Sequence, residues 1–564
     1  MSVPDELERA RHLAFAADEM AARDLLLSLV PRIEDDDRDD LMLEVLAQLG
    51  EIYLVRGADD GVRESIRRIR DCLAIYSGIA AGTMPDATAQ VLSRYTRRAQ
   101  FLETGLAAAQ GDHERAAAAL ARLGDGKGDA EHANLLTHAQ ILCGTALCDD
   151  DLHVQSVPLW EQVLSALQVP AQPGGNPRID GQLADYVRIA GATAYGRFCV
   201  ETGRSPEAEP WLRRAEARAQ ANGWELATAR AQLERAAACW SARDQVATEQ
   251  LVSKAYPVIA RYARAHDVSR CWLYFGLTRM ACGALEAADQ CWEHAERHWR
   301  ELGKPLHIQR ILLQRSWIAI FRSRFADAVE LIAQAREWLD SSPRSNWLQY
   351  AQLDNHLGTV WRADALADLG FDAAGDPSDT WREVEARQAG ALGVTRAQVG
   401  SPQYLRAAAK LEQAAELKVP AALAVDSVRY SIAGADARSR WAKSVSAPIM
   451  AGTFAVAWEW DNTELISELI EYHSARGTFS TEPQAPGAGP EIGEWAATAT
   501  TPVLLDTEPA ISVVTAVSLT RLGPLPPLRM QPDAPPIMSH YRALASQRYG
   551  HAVTAEEPAW STWP

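Results

Sequence analysis

The order of small and large apolar residues repeats about every 40 residues through the middle of the chain, a period typical of helical-pair solenoids. Four columns share this spacing and one register, and their residues are small, small, large and small in turn. The columns are Gly196, Ala236, Gly276 and Ser316; Ala208, Thr248, Ala288 and Ala328; Leu212, Val252, Trp292 and Ile332; and Ala215, Ala255, Ala295 and Ala335. One column of alanines can arise by chance in an alanine-rich chain, but four columns in one register indicate a repeat.

These columns predict two helices in each repeat. The first small residue lies near the middle of the first helix, where it lets the second helix approach closely. On the second helix, two small residues bracket a large side chain that fills the contact. Stacked repeats then bury a continuous core. We therefore predict an all-α helical-repeat superhelix, an α-solenoid, with roughly seven or eight helix pairs between residues 10 and 370.

The spacing of the columns resembles the tetratricopeptide repeat (TPR). In that family a small residue of the first helix is followed by Ala, a large residue and Ala on the second helix. The cleanest matches are Gly196–Ala208–Leu212–Ala215 and Gly276–Ala288–Trp292–Ala295, with Gly203 and Gly283 in the turns. The period is longer than the one usual in that family, so other helical-pair solenoids remain open.

Changes in composition and in the hydrophobic pattern divide the chain into three parts. Residues 1–370 form the TPR-like array, 371–480 a C-terminal helical domain, and 481–564 a Pro-rich tail. In the second part we predict helices at Ser401–Leu417, Pro420–Ser431 and Thr463–Arg476. In the tail we predict short strands at Pro502–Leu505 and Ile511–Leu519 and one helix at about Met538–Tyr549.

The C-terminal part carries a second resemblance. The segment Ala414–Ser480 and the tail motifs Leu525–Met530, Tyr541–Leu544 and Arg548–Gly550 look similar to actinobacterial TPR proteins. Those proteins are associated with caspase-like proteases of the CHAT type in conflict (CATRA-type) systems. The resemblance implies a regulatory role beside such a protease. The chain has no cysteine after Cys291, so the protease would be a separate polypeptide.

Charge and hydropathy narrow the class of partner. The net charge is −18 and the isoelectric point is about 5.3, which disfavours nucleic acid and anionic membranes. The uncharged stretch from Ser444 to Trp458 is shorter than the roughly 20 apolar residues of a spanning helix. We expect a cytoplasmic protein with a protein partner and with no nucleic-acid or membrane partner. Its oligomeric state is open.

The sequence contains none of the common catalytic or phosphate-binding motifs that we considered. The sequence has no phosphate-binding GxxxxGK[ST] loop, no GxSxG and no HExxH. Cys291, His294 and His298 share one helical face, but a single helix cannot supply closed tetrahedral zinc coordination. We predict no catalytic residue, no metal and no cofactor.

Arginines recur with the same period. By the resemblance to the TPR, the residues expected on the concave, protein-binding face are Arg230, Arg270, Arg310, Arg197 and Arg362. The first three share the spacing of the repeat and stand six before the first column. Residues 251–350 hold 14 Lys and Arg against 10 Asp and Glu, so this region is basic within an acidic protein. The arrangement suits an acidic peptide segment. The alternative is salt bridging to acids of the preceding repeat.

The sequence favours a non-enzymatic scaffold or sensor that binds a protein partner. By the second resemblance, that partner is a separately encoded caspase-like protease. The alternative is the detached sensor module of a helical-repeat transcription regulator that binds a peptide or small effector.

Overall fold

The computed structural model confirms an all-α helical-repeat fold built from consecutive packed helix pairs. It describes residues 2–79, 86–125, 128–168, 179–370, 398–431, 441–475, 527–530, 535–556 and 558–561. The chain divides into two compact units, Met1–Arg264 and Ala265–Pro564.

The first unit is a stack of helical hairpins. Its helices are α1 (Val3–Phe15), α2 (Glu19–Asp35), α3 (Asp39–Arg56), α4 (Asp59–Ile79), α5 (Asp86–Ala109), α6 (His113–Gly124), α7 (Ala130–Asp149), α8 (His153–Gln168), α9 (Ile179–Glu201), α10 (Ser205–Ala221), α11 (Glu225–Ser241) and α12 (Gln245–Arg261). Each odd-numbered helix pairs with the next helix. The odd-numbered helices also pack on one another from α1 to α11, so they form one continuous layer.

The second unit continues with hairpins and ends in a different arrangement. Its helices are α13 (Ala265–Ala281), α14 (Leu285–Glu301), α15 (Pro305–Phe321), α16 (Phe325–Asp340), α17 (Trp347–Asp368), α18 (Pro402–Ser427), α19 (Ala447–Glu459), α20 (Thr463–Ala475) and α21 (Ser539–Tyr549). Helix α17 packs along α18, and α21 packs on both. Strands β1 (Leu528–Arg529) and β2 (Trp560–Ser561) form a short parallel pair.

The register of the repeat appears directly in the helix boundaries. The second helices of four successive hairpins begin at Ser205, Gln245, Leu285 and Phe325, which are evenly spaced. All sixteen residues of the four columns are buried.

Two glycines of the first column explain how closely the paired helices approach. A Cβ atom added at Gly276 would lie 2.1 Å from Nε1 of Trp292. At Gly196 the added atom would lie 2.4 Å from a methyl carbon of Leu212. The large residue of the second helix therefore occupies the space that a side chain on the first helix would need.

The turns repeat together with the helices. Within four hairpins the turn contains a residue with positive φ, at Gly203 (74°), Arg243 (63°), Gly283 (78°) and Ser323 (51°). Glycine adopts this conformation without a Cβ penalty. The predicted turn residues Gly203 and Gly283 are thus confirmed, and the other two repeats form the same turn with less suitable residues.

The structure corrects one predicted boundary. We expected a break before Pro420, but α18 runs through it without interruption. Proline lacks the N–H that would bond to the carbonyl of Glu416 four residues earlier. That carbonyl instead accepts a hydrogen bond of 2.5 Å from Nη1 of Arg548. A side chain from α21 therefore supplies the hydrogen bond that Pro420 cannot donate to the Glu416 carbonyl.

The remaining C-terminal predictions have mixed outcomes. Helix α21 confirms the helix expected near Met538–Tyr549, whereas the strands expected at Pro502–Leu505 and Ile511–Leu519 lie outside the described residues. The domain limits at residues 370 and 480 stay predictions. No helix in the described ranges combines the length and apolar character that crossing a membrane requires.

Candidate binding surfaces and buried polar clusters

In the first unit, the first hairpin packs against residues near the end of the same unit. Phe15, at the end of α1, stacks on Tyr186 of α9 with ring centroids 4.9 Å apart. It also lies 5.8 Å from the ring of Trp224, which precedes α11. Its neighbour Ala16 joins the same apolar cluster. The turn between α1 and α2 therefore packs against helices that lie far along the chain from it.

An ion pair completes this arrangement. Glu19, the first residue of α2, bonds to Nη2 of Arg264, which follows α12. Both side chains are less than a tenth exposed. We call the set formed by Phe15, Tyr186, Trp224, Glu19 and Arg264 the closing contact. It joins the two ends of the unit through aromatic packing and one buried charge pair.

The three periodic arginines take equivalent places. Arg230, Arg270 and Arg310 are each the sixth residue of α11, α13 and α15 respectively. All three side chains are half-buried, and each makes contacts within the protein. Burial raises the pKa of the Tyr186 phenol in the closing contact, and the charge of Arg230 opposes this shift.

Salt bridges to the acids of the preceding hairpin occur at the positions of Arg235 and Arg315. Arg235 of α11 binds Glu209 and Glu216 of α10 at 2.9 and 2.7 Å. Arg315 of α15 makes the corresponding bonds of 2.8 Å to Asp289 and Glu296 of α14. The two sets have the same sequence offsets of 26 and 19 residues. We did not predict these salt bridges from the sequence. Their arginines and acids are each two repeats apart, and this spacing could have indicated them.

Arg197 lies in a buried polar cluster between α7, α8 and α9. Its guanidinium donates bonds of 2.7 Å to Glu201 and to Asp149. His153 contacts the other carboxylate oxygen of Glu201 at 3.0 Å. Burial opposes ionisation of Glu201, but the charge of Arg197 and the bond to His153 prevail and lower its pKa to about 2. These contacts tie adjacent hairpins together.

Part of this cluster has the composition of a metal site. Cys148, His153 and Glu201 are the one trio in the described ranges whose potential ligand atoms lie within 4.8 Å of one another. Burial raises the pKa of the Cys148 thiol, which disfavours the thiolate that binds zinc. Both oxygens of Glu201 already bind donors, and one is the cation Arg197. The trio therefore fits a structural ion-pair cluster better than a metal site.

The histidines considered for zinc on α14 have other contacts. The ring of His294 packs against Trp272 with centroids 4.8 Å apart. Nδ1 of His298 lies 3.7 Å from Glu301. Cys291 is buried.

Arg362 is held inside the second unit. It forms a two-pronged ion pair with Glu459, with bonds of 2.7 and 2.5 Å, which connects α17 to α19. Lys418 of α18 lies beside this pair and donates to Asn355 at 3.1 Å. Glycines on both neighbouring helices make room for it. A Cβ atom at Gly358 would lie 2.6 Å from its Cγ, and one at Gly452 3.2 Å from its Nζ.

The Lys418 environment predicts a pH-dependent stability. Burial and the charge of Arg362 lower the pKa of Lys418 to about 7, with Glu459 opposing, whereas an unfolded lysine titrates near 10.4. Between these values the unfolded chain binds more protons, so stability rises with pH. We expect Lys418→Met to reduce the gain in urea midpoint between about pH 7 and pH 9.

The matched control for this experiment is Lys410→Met on the same helix. Lys410 is paired with Asp364 and Asp368, which raise its pKa, so it stays charged over this range in both states. A Lys418→Met protein with the wild-type pH slope would contradict the assignment.

Two serine–histidine pairs in the second unit have the composition of an activated nucleophile. Ser427 Oγ lies 2.7 Å from Nε2 of His551, and Ser316 Oγ lies 2.6 Å from Nε2 of His356. Each hydroxyl also donates to a backbone carbonyl three residues earlier, at 2.6 and 2.8 Å. A hydroxyl has one proton, so each histidine must donate to its serine. A general base must accept that proton instead, and these pairs are therefore arranged as structural contacts.

Comparison with known proteins does not identify a function for the residues described above. No protein-family profile and no curated protein matches the sequence. Among solved structures, the chain is similar to the one titled "Crystal Structure of the Apo Form of RapI", with a TM-score of 0.39 and 9% sequence identity. That match covers 75% of this chain and 99% of the other. At this TM-score the likeness identifies neither a family nor a function.

Proposed function

We propose that the chain is a non-enzymatic scaffold that binds an acidic segment of a protein partner through its periodic arginines. The observation that carries the proposal is the equivalent, half-buried placement of Arg270 and Arg310 on successive first helices of one unit. Arg230 has the corresponding position in the first unit. A guanidinium carries five N–H donors in a planar fork, which suits the two oxygens of a carboxylate.

The repeat architecture supports this reading. Equivalent side chains recur once in each repeat of a solenoid, so they can present a row of guanidinium groups to one extended peptide. Arginine binds carboxylates with a fork geometry that lysine cannot copy.

The partner we propose is a separately encoded caspase-like protease, which the chain would regulate. This part of the proposal rests on the similarity of Ala414–Ser480 and the tail to proteins found beside such proteases. It is tested by co-purifying the chain with a caspase-like protease encoded next to it and by measuring peptide cleavage with and without the chain.

The arginine contribution has a direct test. We expect Arg270→Gln combined with Arg310→Gln to weaken binding of a fluorescently labelled glutamate-rich peptide by at least about tenfold, because two charged hydrogen-bonding sites are lost. Fluorescence anisotropy measures the affinity, and binding should weaken as salt rises.

Arg213→Gln with Arg324→Gln is the control, because it removes the same charge from two exposed positions, one on α10 and one directly before α16. Equal affinity of the two double variants would reject the arginine column. An unchanged melting temperature is required of both.

A further inference from the structure

The C-terminal helix completes a cleft in the second unit. The cleft has a volume of about 360 Å³, which lies within the range of small-molecule sites in proteins. Its lining comes from α16, α17, α18 and α21. The lining residues are Arg336, Tyr350, Asp354, Leu417, Arg548 and Tyr549.

The floor of this cleft is fixed by buried hydrogen bonds. Asp354 is buried and accepts a bond of 2.8 Å from the hydroxyl of Tyr549. It also pairs with Nη2 of Arg336, so the guanidinium of Arg336 is held at the cleft. Tyr350 lies under that guanidinium, 5.8 Å from ring centre to carbon, and its hydroxyl donates to Asp340 at 2.8 Å.

Arg548, on α21, is held by a contact with α18. One of its N–H groups donates to the carbonyl of Glu416, the group that Pro420 leaves open in α18. The side chain of Glu416 also lies 2.6 Å from Nε2 of His540, at the other end of α21. Helix α21 is therefore held at two points, and within the described residues the Glu416 carbonyl is the one hydrogen-bond acceptor that Arg548 contacts.

The charges in the cleft do not cancel. Asp354 faces Arg336, but Arg548 contacts a neutral carbonyl, and no carboxylate in the described part of the chain forms an ion pair with it. The lining therefore carries two guanidinium groups against one carboxylate. The hydroxyls of both tyrosines are engaged with aspartates, so the donors that remain for a ligand are those of the arginines.

From this arrangement we infer that the cleft binds a small organic molecule through an oxyanion group, either a phosphate or a carboxylate. The oxyanion would lie between Arg336 and Arg548, whose forks match the oxygens of both groups. Tyr350 and Leu417 supply apolar surface for the rest of the molecule. This site is separate from the periodic arginines, and the inference does not depend on the proposed scaffold function.

The test uses three ligands that share one ring. Phenyl phosphate and benzoate carry the two oxyanions, and benzamide is the neutral analogue of benzoate. We expect calorimetric titration of the full chain to show saturable binding of at least one anion and none of benzamide. Arg548→Gln should weaken that binding by at least about tenfold.

The controls separate recognition from folding. Arg406→Gln removes an exposed charge from α18 and should leave the affinity unchanged. Arg548→Lys keeps the charge and a donor for the Glu416 carbonyl, so it should fold normally and bind with intermediate affinity. The inference is overturned if neither anion binds up to about 10 mM, if benzamide binds equally well, or if Arg548→Lys and Arg548→Gln both bind like the wild type.

Discussion

Arg264→Met is expected to lower the free energy of unfolding of the first unit by roughly 3–5 kcal/mol, because removing one partner of a buried ion pair leaves the other charge unpaired. The unpaired group would be the carboxylate of Glu19, which is 5% exposed. Chemical denaturation followed by hydrogen exchange of α1 and α2 would measure the loss. Combining the change with Glu19→Gln should recover most of it.

The matched control is Arg261→Met, three residues earlier. Arg261 pairs with Glu225, but both side chains are 58% exposed, and exposed pairs contribute about 0–1 kcal/mol. If the two variants lose the same stability, the closing contact does not hold the unit together.

Trp292→Ala is expected to destabilise the second unit by about 3–5 kcal/mol, the usual cost of truncating a fully buried tryptophan. Trp292 is 0% exposed, and its indole N–H donates to the carbonyl of Leu273 at 3.2 Å. Trp458→Ala makes the same chemical change at a side chain that is 68% exposed. It should cost less than about 0.5 kcal/mol.

The opposing glycine provides a sharper form of this prediction. In the wild type, Gly276→Ala should cost about 1–3 kcal/mol, because the new Cβ overlaps the indole of Trp292. In the Trp292→Ala background the indole is absent, and alanine favours a helix over glycine by about 0.8–1 kcal/mol. The sign of the effect should therefore reverse. Thermal denaturation of the four proteins measures this, and an equal effect of Gly276→Ala in both backgrounds would show that the two residues are independent.

The repeat could be predicted because its causes are local. Gly276 and Trp292 lie on the two helices of one hairpin, and the constraint that one be small and the other large acts within that hairpin. The same constraint recurs in each hairpin, so the sequence records it several times. The turns at Gly203 and Gly283 were predictable for the same reason, since each needs a residue that tolerates positive φ.

The candidate sites were harder to predict because their members are distant in sequence. Glu19 and Arg264 are 245 residues apart, and no periodicity connects them. The C-terminal cleft takes residues from four helices. The position of Arg548 depends on the carbonyl freed by Pro420, a feature that the sequence suggests only as a helix break. We expected Arg197 and Arg362 on a concave face, but their partners Glu201 and Glu459 could not be predicted.

The closing contact also constrains how the first unit can evolve. Solenoid proteins commonly gain or lose repeats by duplication, because each repeat contacts only its neighbours. Here Phe15 and Glu19 of the first hairpin meet residues from the fifth hairpin onward, up to Arg264 after the sixth. An inserted or deleted hairpin would move these groups out of reach of each other. The number of hairpins in this unit is therefore set by the geometry of its two ends, and changes of length are confined to loops.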